Sequence, residues 1–194
     1  MENISFKVPE PSEYSKVLEA FEDYFIKHEP GLTSLGGYPD GLSQENKDRY
    51  RSFLEEGVSV IAIDKTNDLI CGTMLSMMFT RENDSMNPKP TFDYLKEKFS
   101  EKHAKIEVLC NDAIHPSDFF ESFKDSNKFV DINAIGVHGN YQRKGIATKL
   151  GICQHQKSDN LQYNTLGRWD FNIIWWDGGL TERLSRCLMV QCLF

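Results

Sequence analysis

The sequence predicts an α/β fold: a mixed, mostly antiparallel central sheet with helices on both faces. Three observations carry that prediction. Val58-Ser59-Val60-Ile61-Ala62-Ile63 is a β-branched run, the polar turn Asp64 to Asp68 follows, and a longer apolar run then spans Leu69 to Phe79. Together these read as an antiparallel hairpin. Both runs are apolar on both faces, so each side of the sheet needs a helical cover. Finally, Lys128 to Val137 reads as a strand leading into a polar turn and a helix start, within Asp131 to Leu150, DINAIGVHGNYQRKGIATKL.

The elements follow in order. Residues 4–8 alternate and form a first strand that ends at Pro9. Ser12 is the expected N-cap of a helix whose buried face is Tyr14, Val17, Leu18, Phe21 and Phe25. It should stop near Lys27-His28-Glu29-Pro30, because the residue before a proline is pushed out of the helical region. Gly31, Gly36, Gly37, Pro39 and Gly41 predict a loop. Ser43 starts a second helix with Tyr50, Phe53 and Leu54 as its apolar side, and Gly57 closes it. After the hairpin, Thr80 to Pro90 is polar and loop-like. Phe92, Leu95 and Phe99 give helical spacing, a further helical piece holds Ile106, Leu109 and Cys110, and Ser117 caps a short helix with Phe119, Phe120 and Phe123. The aromatics of this inserted region are assigned to core packing. On the strand that follows, Ile132, Ala134 and Gly136 share one face, with Asp131, Asn133, Ile135 and Val137 on the other.

Composition narrows the function. A chain of 194 residues suits one domain with a real core. The net charge of −7 argues against general binding to nucleic acid or an anionic membrane, and it suits a cationic substrate. The start, MENISFKVPEP, lacks a basic region followed by an apolar run, so no signal peptide is expected. The longest uncharged apolar stretch, Leu69 to Thr80, is too short to span a bilayer. Cys71, Cys110, Cys153, Cys187 and Cys192 are odd in number and lack CxxC spacing, so reduced thiols are expected in a cytoplasmic protein, with no disulfide framework and no metal site. A monomer is expected.

The turn Gln142-Arg143-Lys144-Gly145-Ile146-Ala147 holds the chemistry. It is neither the Walker loop GxxxxGK[ST] nor the dinucleotide fingerprint GxGxxG. Gly145 lets backbone approach a phosphate closely, small Ala147 avoids crowding it, and Arg143 and Lys144 add positive charge. A helix start supplies unpaired N–H groups. A phosphate cradle and a plain solvated basic corner both fit these residues.

The chain resembles the GNAT superfamily of N-acetyltransferases, whose signature [QR]xxGx[GA] is matched by Gln142, Gly145 and Ala147. More narrowly, it is similar to the insect arylalkylamine N-acetyltransferases. It shares with them Glu29-Pro30 after the first helix, a helical insertion before the central strand, and Asn140, Tyr141, Gly145, Ile146 and Ala147 in the turn. The resemblance covers residues 4–150 and implies a GNAT-like sheet and acetyl-CoA as co-substrate. It further implies that the strand segment Ile135-Gly136-Val137 offers backbone groups to the pantetheine arm, and that the N–H groups of Gln142, Arg143, Lys144, Gly145, Ile146 and Ala147 cradle the pyrophosphate. Glu29 would be the general base, since an alkylammonium with a pKa of about 10.4 has no lone pair with which to attack a thioester. Read without the resemblance, Glu29 is also a plain helix-end carboxylate. The implied substrate is a small arylalkylamine of the dopamine, tyramine, serotonin or tryptamine class, with polyamine or protein amines as alternatives.

Residues 151–194 depart from that pattern, dividing the chain into an acetyltransferase domain, 1–150, and a divergent tail, 151–194. In the tail, Phe171 to Trp176 reads as a strand and Thr181 to Leu193 as a short helix. The loss of resemblance in mid-helix points to an alternative exon, a frameshift or a faulty gene model, and to a second reading: a truncated, catalytically silent isoform that binds CoA or a partner without turnover.

Overall fold

The computed structural model describes residues 2–34, 41–84, 91–98 and 127–160, with residues 101, 104, 105, 108, 120 and 124 between the last two stretches. Apart from Val108, the expected helical piece at Ile106 to Cys110 lies outside these residues, as do most of the one after Ser117 and the elements expected at 171–176 and 181–193.

The sheet has the order β1-β2-β3-β4: β1 (Ile4–Lys7), β2 (Val60–Asp64), β3 (Leu69–Thr80) and β4 (Lys128–Val137). Every described pairing is antiparallel. The expected hairpin is β2–β3, and both faces of the sheet are covered as its two-sided apolar pattern requires. On one face Val60, Ala62, Cys71, Met74, Val130 and Ile132 pack with Ile146 and Leu150 of the last described helix. On the other, Ile61, Ile63, Ile70, Leu75 and Ala134 meet Val17, Leu18 and Phe21 of α1 (Tyr14–Phe21) and Phe53 and Leu54 of α3 (Gln44–Glu55). Burial of each such side chain contributes about 1.5–3 kcal/mol.

Helix α3 starts as read: the Ser43 Oγ accepts the Asn46 N–H at 3.3 Å, and Gly57 follows its end. The first helix does not start at Ser12. Pro11–Glu13 forms a 3-10 turn in which the Glu13 carboxylate accepts the Glu10 N–H at 2.8 Å, so an acidic side chain three residues on does the capping. The stretch after Glu29 is not all loop, because Pro30–Ser34 forms a short helix, α2. Pro30 has its φ already set for a first helical position, where no N–H is needed. Likewise Arg81–Asp84 is a helical turn, α4, inside the predicted loop, and Phe92–Lys98 forms α5.

The largest departure is in β4. Leu75 pairs with Ala134 while Ser76 pairs with Ile132, so Asn133 is an extra residue, a β-bulge. A bulge resets the alternation, which is why Ile132 faces the first core while Ala134 faces the second. The reading that put Ile132, Ala134 and Gly136 on one face is corrected accordingly. Beside the bulge, the Ser76 N–H donates to the Ser59 Oγ at 3.1 Å, and that hydroxyl donates to the Phe53 carbonyl at 3.1 Å.

Helix α6 (Ile146–Asn160) crosses Leu150 without a break, with Gly151 and Gln154 buried, and it outlasts the periodicity that fades after His155 in the sequence.

Candidate functional site

The site begins where α1 changes pitch. Glu22–Ile26 widens into a π turn, closed by the Lys27 N–H on the Glu22 carbonyl at 3.1 Å. Such turns are frequent at functional sites. This one lies on β4 because position 136 has no side chain: a Cβ there would meet the Tyr24 Cβ at 3.0 Å and the Phe25 amide nitrogen at 3.2 Å. The Tyr24 hydroxyl donates to the Ile70 carbonyl at 2.9 Å, and burial pushes its pKa up.

Glu29 follows the π turn and is partly buried. Its carbonyl accepts both the Thr33 N–H at 2.9 Å and the Thr33 hydroxyl at 2.8 Å, so the residue stands at the head of α2. The π turn, which ends three residues before Glu29, thus packs on the half of β4 that holds Ile135, Gly136 and Val137.

On that half, Ile135 and Val137 pack partly buried toward the first core and Gly136 turns to the π turn. Among the described residues β4 is an outer strand, so an extended arm can add to its free edge through backbone hydrogen bonds. The Val137 carbonyl accepts the Gln142 side-chain amide at 3.1 Å.

The chain then folds back through a 3-10 turn, Gly139–Tyr141, whose start is capped by the His138 Nδ1 accepting the Asn140 N–H at 3.2 Å. Arg143 at φ 60° and Gly145 at φ 76° are both left-handed, and Lys149 donates its N–H to the Gly145 carbonyl at 3.1 Å. Gly145 is therefore the N-cap of α6, and the N–H groups of Ile146, Ala147 and Thr148 have no acceptor within the helix. Successive N–H groups around left-handed residues at a helix start make an anion-binding concavity. Gln142 contributes differently from expectation, since its own N–H is engaged by the Gly139 carbonyl at 3.3 Å. The N–H set open to an anion is that of Arg143, Lys144, Gly145, Ile146 and Ala147. The side chains of Ile146 and Ala147 are buried and anchor this helix start to the sheet, while Gln142 to Gly145 are exposed.

Sequence reasoning missed three contributors. Tyr141 donates its hydroxyl to Asp64 Oδ2 at 2.7 Å, across 77 residues of chain. Asp64 Oδ1 accepts the Thr66 N–H at 2.9 Å and the Thr66 hydroxyl at 2.6 Å. These Thr66 bonds, then Tyr141, hold the Asp64 carboxyl below the usual carboxylate range. The third is His138, whose ring stands edge-on to Tyr24 at 5.2 Å and to Tyr141 at 5.5 Å, joining the π turn to the turn that precedes α6. No local pattern announces them, because the contacts that join these residues to other elements, Tyr141 to Asp64 and His138 to Tyr24, are remote in sequence.

Among the described residues no group of three or more His, Cys, Asp or Glu is placed to hold a metal, and no helix is long and apolar enough to cross a membrane. Cys71 and Cys153 are free thiols, with pKa values raised by burial, and the other three cysteines lie outside the described residues.

No family model and no curated protein matches the chain. Solved structures do. Arylalkylamine N-acetyltransferase 2 from Aedes aegypti superposes with a TM-score of 0.68 at 23% identity, over 83% of this chain and 73% of that one. A mosquito arylalkylamine N-acetyltransferase-like protein, 5b, gives 0.68 at 17% identity, over 82% and 73%. The polyamine N-acetyltransferase of Drosophila melanogaster, which forms N-acetylagmatine, gives 0.65 at 13% identity, over 82% and 72%. The antiparallel sheet, the helices on its two faces and these superpositions together give the chain a GNAT-like fold, structurally similar to the insect arylalkylamine N-acetyltransferases.

Proposed function

We propose that the protein is an acetyl-CoA-dependent N-acetyltransferase acting on a small primary amine, with arylalkylamines as its preferred class. The observation that carries this reading is the unbroken path from the free edge of β4 to the left-handed turn and the head of α6. The path suits a long ligand that is amide-like along its arm and anionic at its far end. Ile135 and Val137 take the arm by strand-like hydrogen bonds, and the N–H groups of Arg143 to Ala147 take the pyrophosphate, aided by the two cationic side chains.

Glu29 then removes a proton from the substrate ammonium, directly or through water, and the freed amine attacks the thioester carbon. A tetrahedral intermediate forms, and it collapses with loss of the CoA thiolate. The fold of the polyamine enzyme is nearly as good a match, which supports polyamines as the competing amine class.

Thiol release from acetyl-CoA, measured with a panel of arylalkylamines and polyamines, tests the proposal. Turnover with an amine, lost in Glu29→Gln while CoA still binds, is the expected result. CoA binding without turnover on any amine would replace this reading with that of a silent CoA-binding form. A chain that binds no CoA would overturn both.

A further inference from the structure

Arg143 is an L-residue in the left-handed region, a conformation that persists only where its surroundings over-determine it. The hydrogen bonds of the preceding turn are local: Asn140 and Tyr141 donate their N–H groups to His138, and Gln142 donates its own to Gly139. Gln142 also ties the turn to the end of β4, its side-chain amide donating to the Val137 carbonyl at 3.1 Å. The tie to the β2–β3 turn comes from Tyr141. Its hydroxyl donates to Asp64 Oδ2 at 2.7 Å, where β2 runs into the β2–β3 turn. Asp64 is itself fixed by both Thr66 bonds, and its backbone is held in the ladder opposite Ile4 and Leu69. On the other flank of Arg143, the Lys144 ammonium lies 5.1 Å from the centre of the Tyr141 ring, a cation–π contact. Arg143 thus lies between Tyr141 and a lysine that packs on the Tyr141 ring.

We infer that Tyr141 and Asp64 form a positioning lock that holds the pyrophosphate turn in its left-handed shape, and that acetyl donors carrying a nucleotide depend on it while donors lacking one do not. The inference rests on the acetyl-CoA reading above. Neither residue touches the acetyl group. Their effect reaches the ligand through the direction of the N–H groups from Arg143 to Ala147, which only the pyrophosphate uses. Releasing the tyrosine lets Arg143 relax toward the right-handed region and scatters those donors. Asp64 strengthens the lock as an anion, because a hydrogen bond to a charged acceptor is roughly twice as strong as a neutral one.

The test compares the wild type with Tyr141→Phe and Asp64→Asn. The measurements are CoA affinity by calorimetry, and kcat and KM with acetyl-CoA and with S-acetylpantetheine, which has the same thioester and arm but no pyrophosphate. Both variants are expected to weaken CoA binding and raise the KM for acetyl-CoA about tenfold, the effect of one lost charge-assisted hydrogen bond. Turnover of S-acetylpantetheine should not change. Asp64→Asn is nearly isosteric and keeps the lock testable if Tyr141→Phe proves unstable. Variants that bind CoA as the wild type does overturn the lock. So does an equal loss with both donors, which would mark a general structural role. A wild type that fails to bind CoA would instead overturn the acetyl-CoA reading itself, a result separable from failure of the lock alone.

Discussion

Tyr24 sits directly on Gly136, with no side chain between the π turn and the backbone of β4. Two elements widely separated in sequence meet there, one leading to Glu29 and the other to Val137.

That contact makes Gly136→Ala an informative change. The added carbon would crowd the Tyr24 Cβ and the Phe25 backbone, neither of which is the loose end of a side chain. A loss of about 1–3 kcal/mol in urea unfolding is expected, as for overpacking elsewhere in cores. The displaced segment should raise the KM for amine more than it weakens CoA binding. Unchanged stability would mean that the two elements separate easily and that the contact is incidental.

Asp131 stands opposite Met77 on β4, and burial alone pushes its carboxyl from 3.8 to about 6. The folded chain therefore holds a proton that the unfolded chain releases between about pH 4 and pH 6. Its contribution to stability is full below that window and is lost as pH rises through it. The change is on the order of 2–3 kcal/mol, less to the extent that water reaches the carboxylate. Asp131→Asn should flatten this part of the profile and be the more stable protein at pH 7, as read from urea midpoints at pH 4.5 and 7. Parallel profiles for the two proteins would refute the assignment.

At Arg143 the backbone conformation can be tested apart from charge. Arg143→Gly should fold at least about as stably as the wild type, since glycine tolerates φ 60°. A β-branched side chain does not, so Arg143→Val should lose more than about 1 kcal/mol. Both variants remove the same cation. Equal stability of the two would show that the turn is free to change shape.

Ser43→Ala removes the side-chain cap of α3. The expected cost is about 1 kcal/mol. In a chain of this size that lowers the melting temperature by roughly 2–4 °C, measurable by circular dichroism. A shift below one degree would mean that burial of Leu42 and Asn46 holds the helix start unaided.

What the sequence made legible was periodic or local. The β-branched runs announced β2 and β3, their two-sided apolar character announced helices on both faces, and Ser43 and Gly57 marked the ends of α3. The turn from Gln142 to Ala147 stood out because glycine and small residues follow a strand. What stayed hidden depends on neighbours distant along the chain. Nothing at Asn133 signals a bulge, which arises from the pairing with β3 and reverses which of Ile132 and Ala134 faces which core. Nothing in Asp64-Lys65-Thr66-Asn67 distinguishes an ordinary hairpin turn from one that also receives Tyr141. Glu29 was picked out by resemblance, and the fold adds the π turn that ends three residues before it and packs on β4.

The bonds at the far end of the β3–β4 hairpin have a consequence of another kind. Thr80 pairs with Lys128, the Arg81 N–H donates to the Asn127 carbonyl at 2.9 Å, and the Arg81 guanidinium donates to the carbonyls of Phe120 and Lys124. The described ends of the insertion between α4 and β4 are therefore held together at the end of the sheet as a closed neck. Loop closure grows costlier only with the logarithm of length, so what lies beyond a closed neck can lengthen, shorten or change composition while the sheet keeps its register.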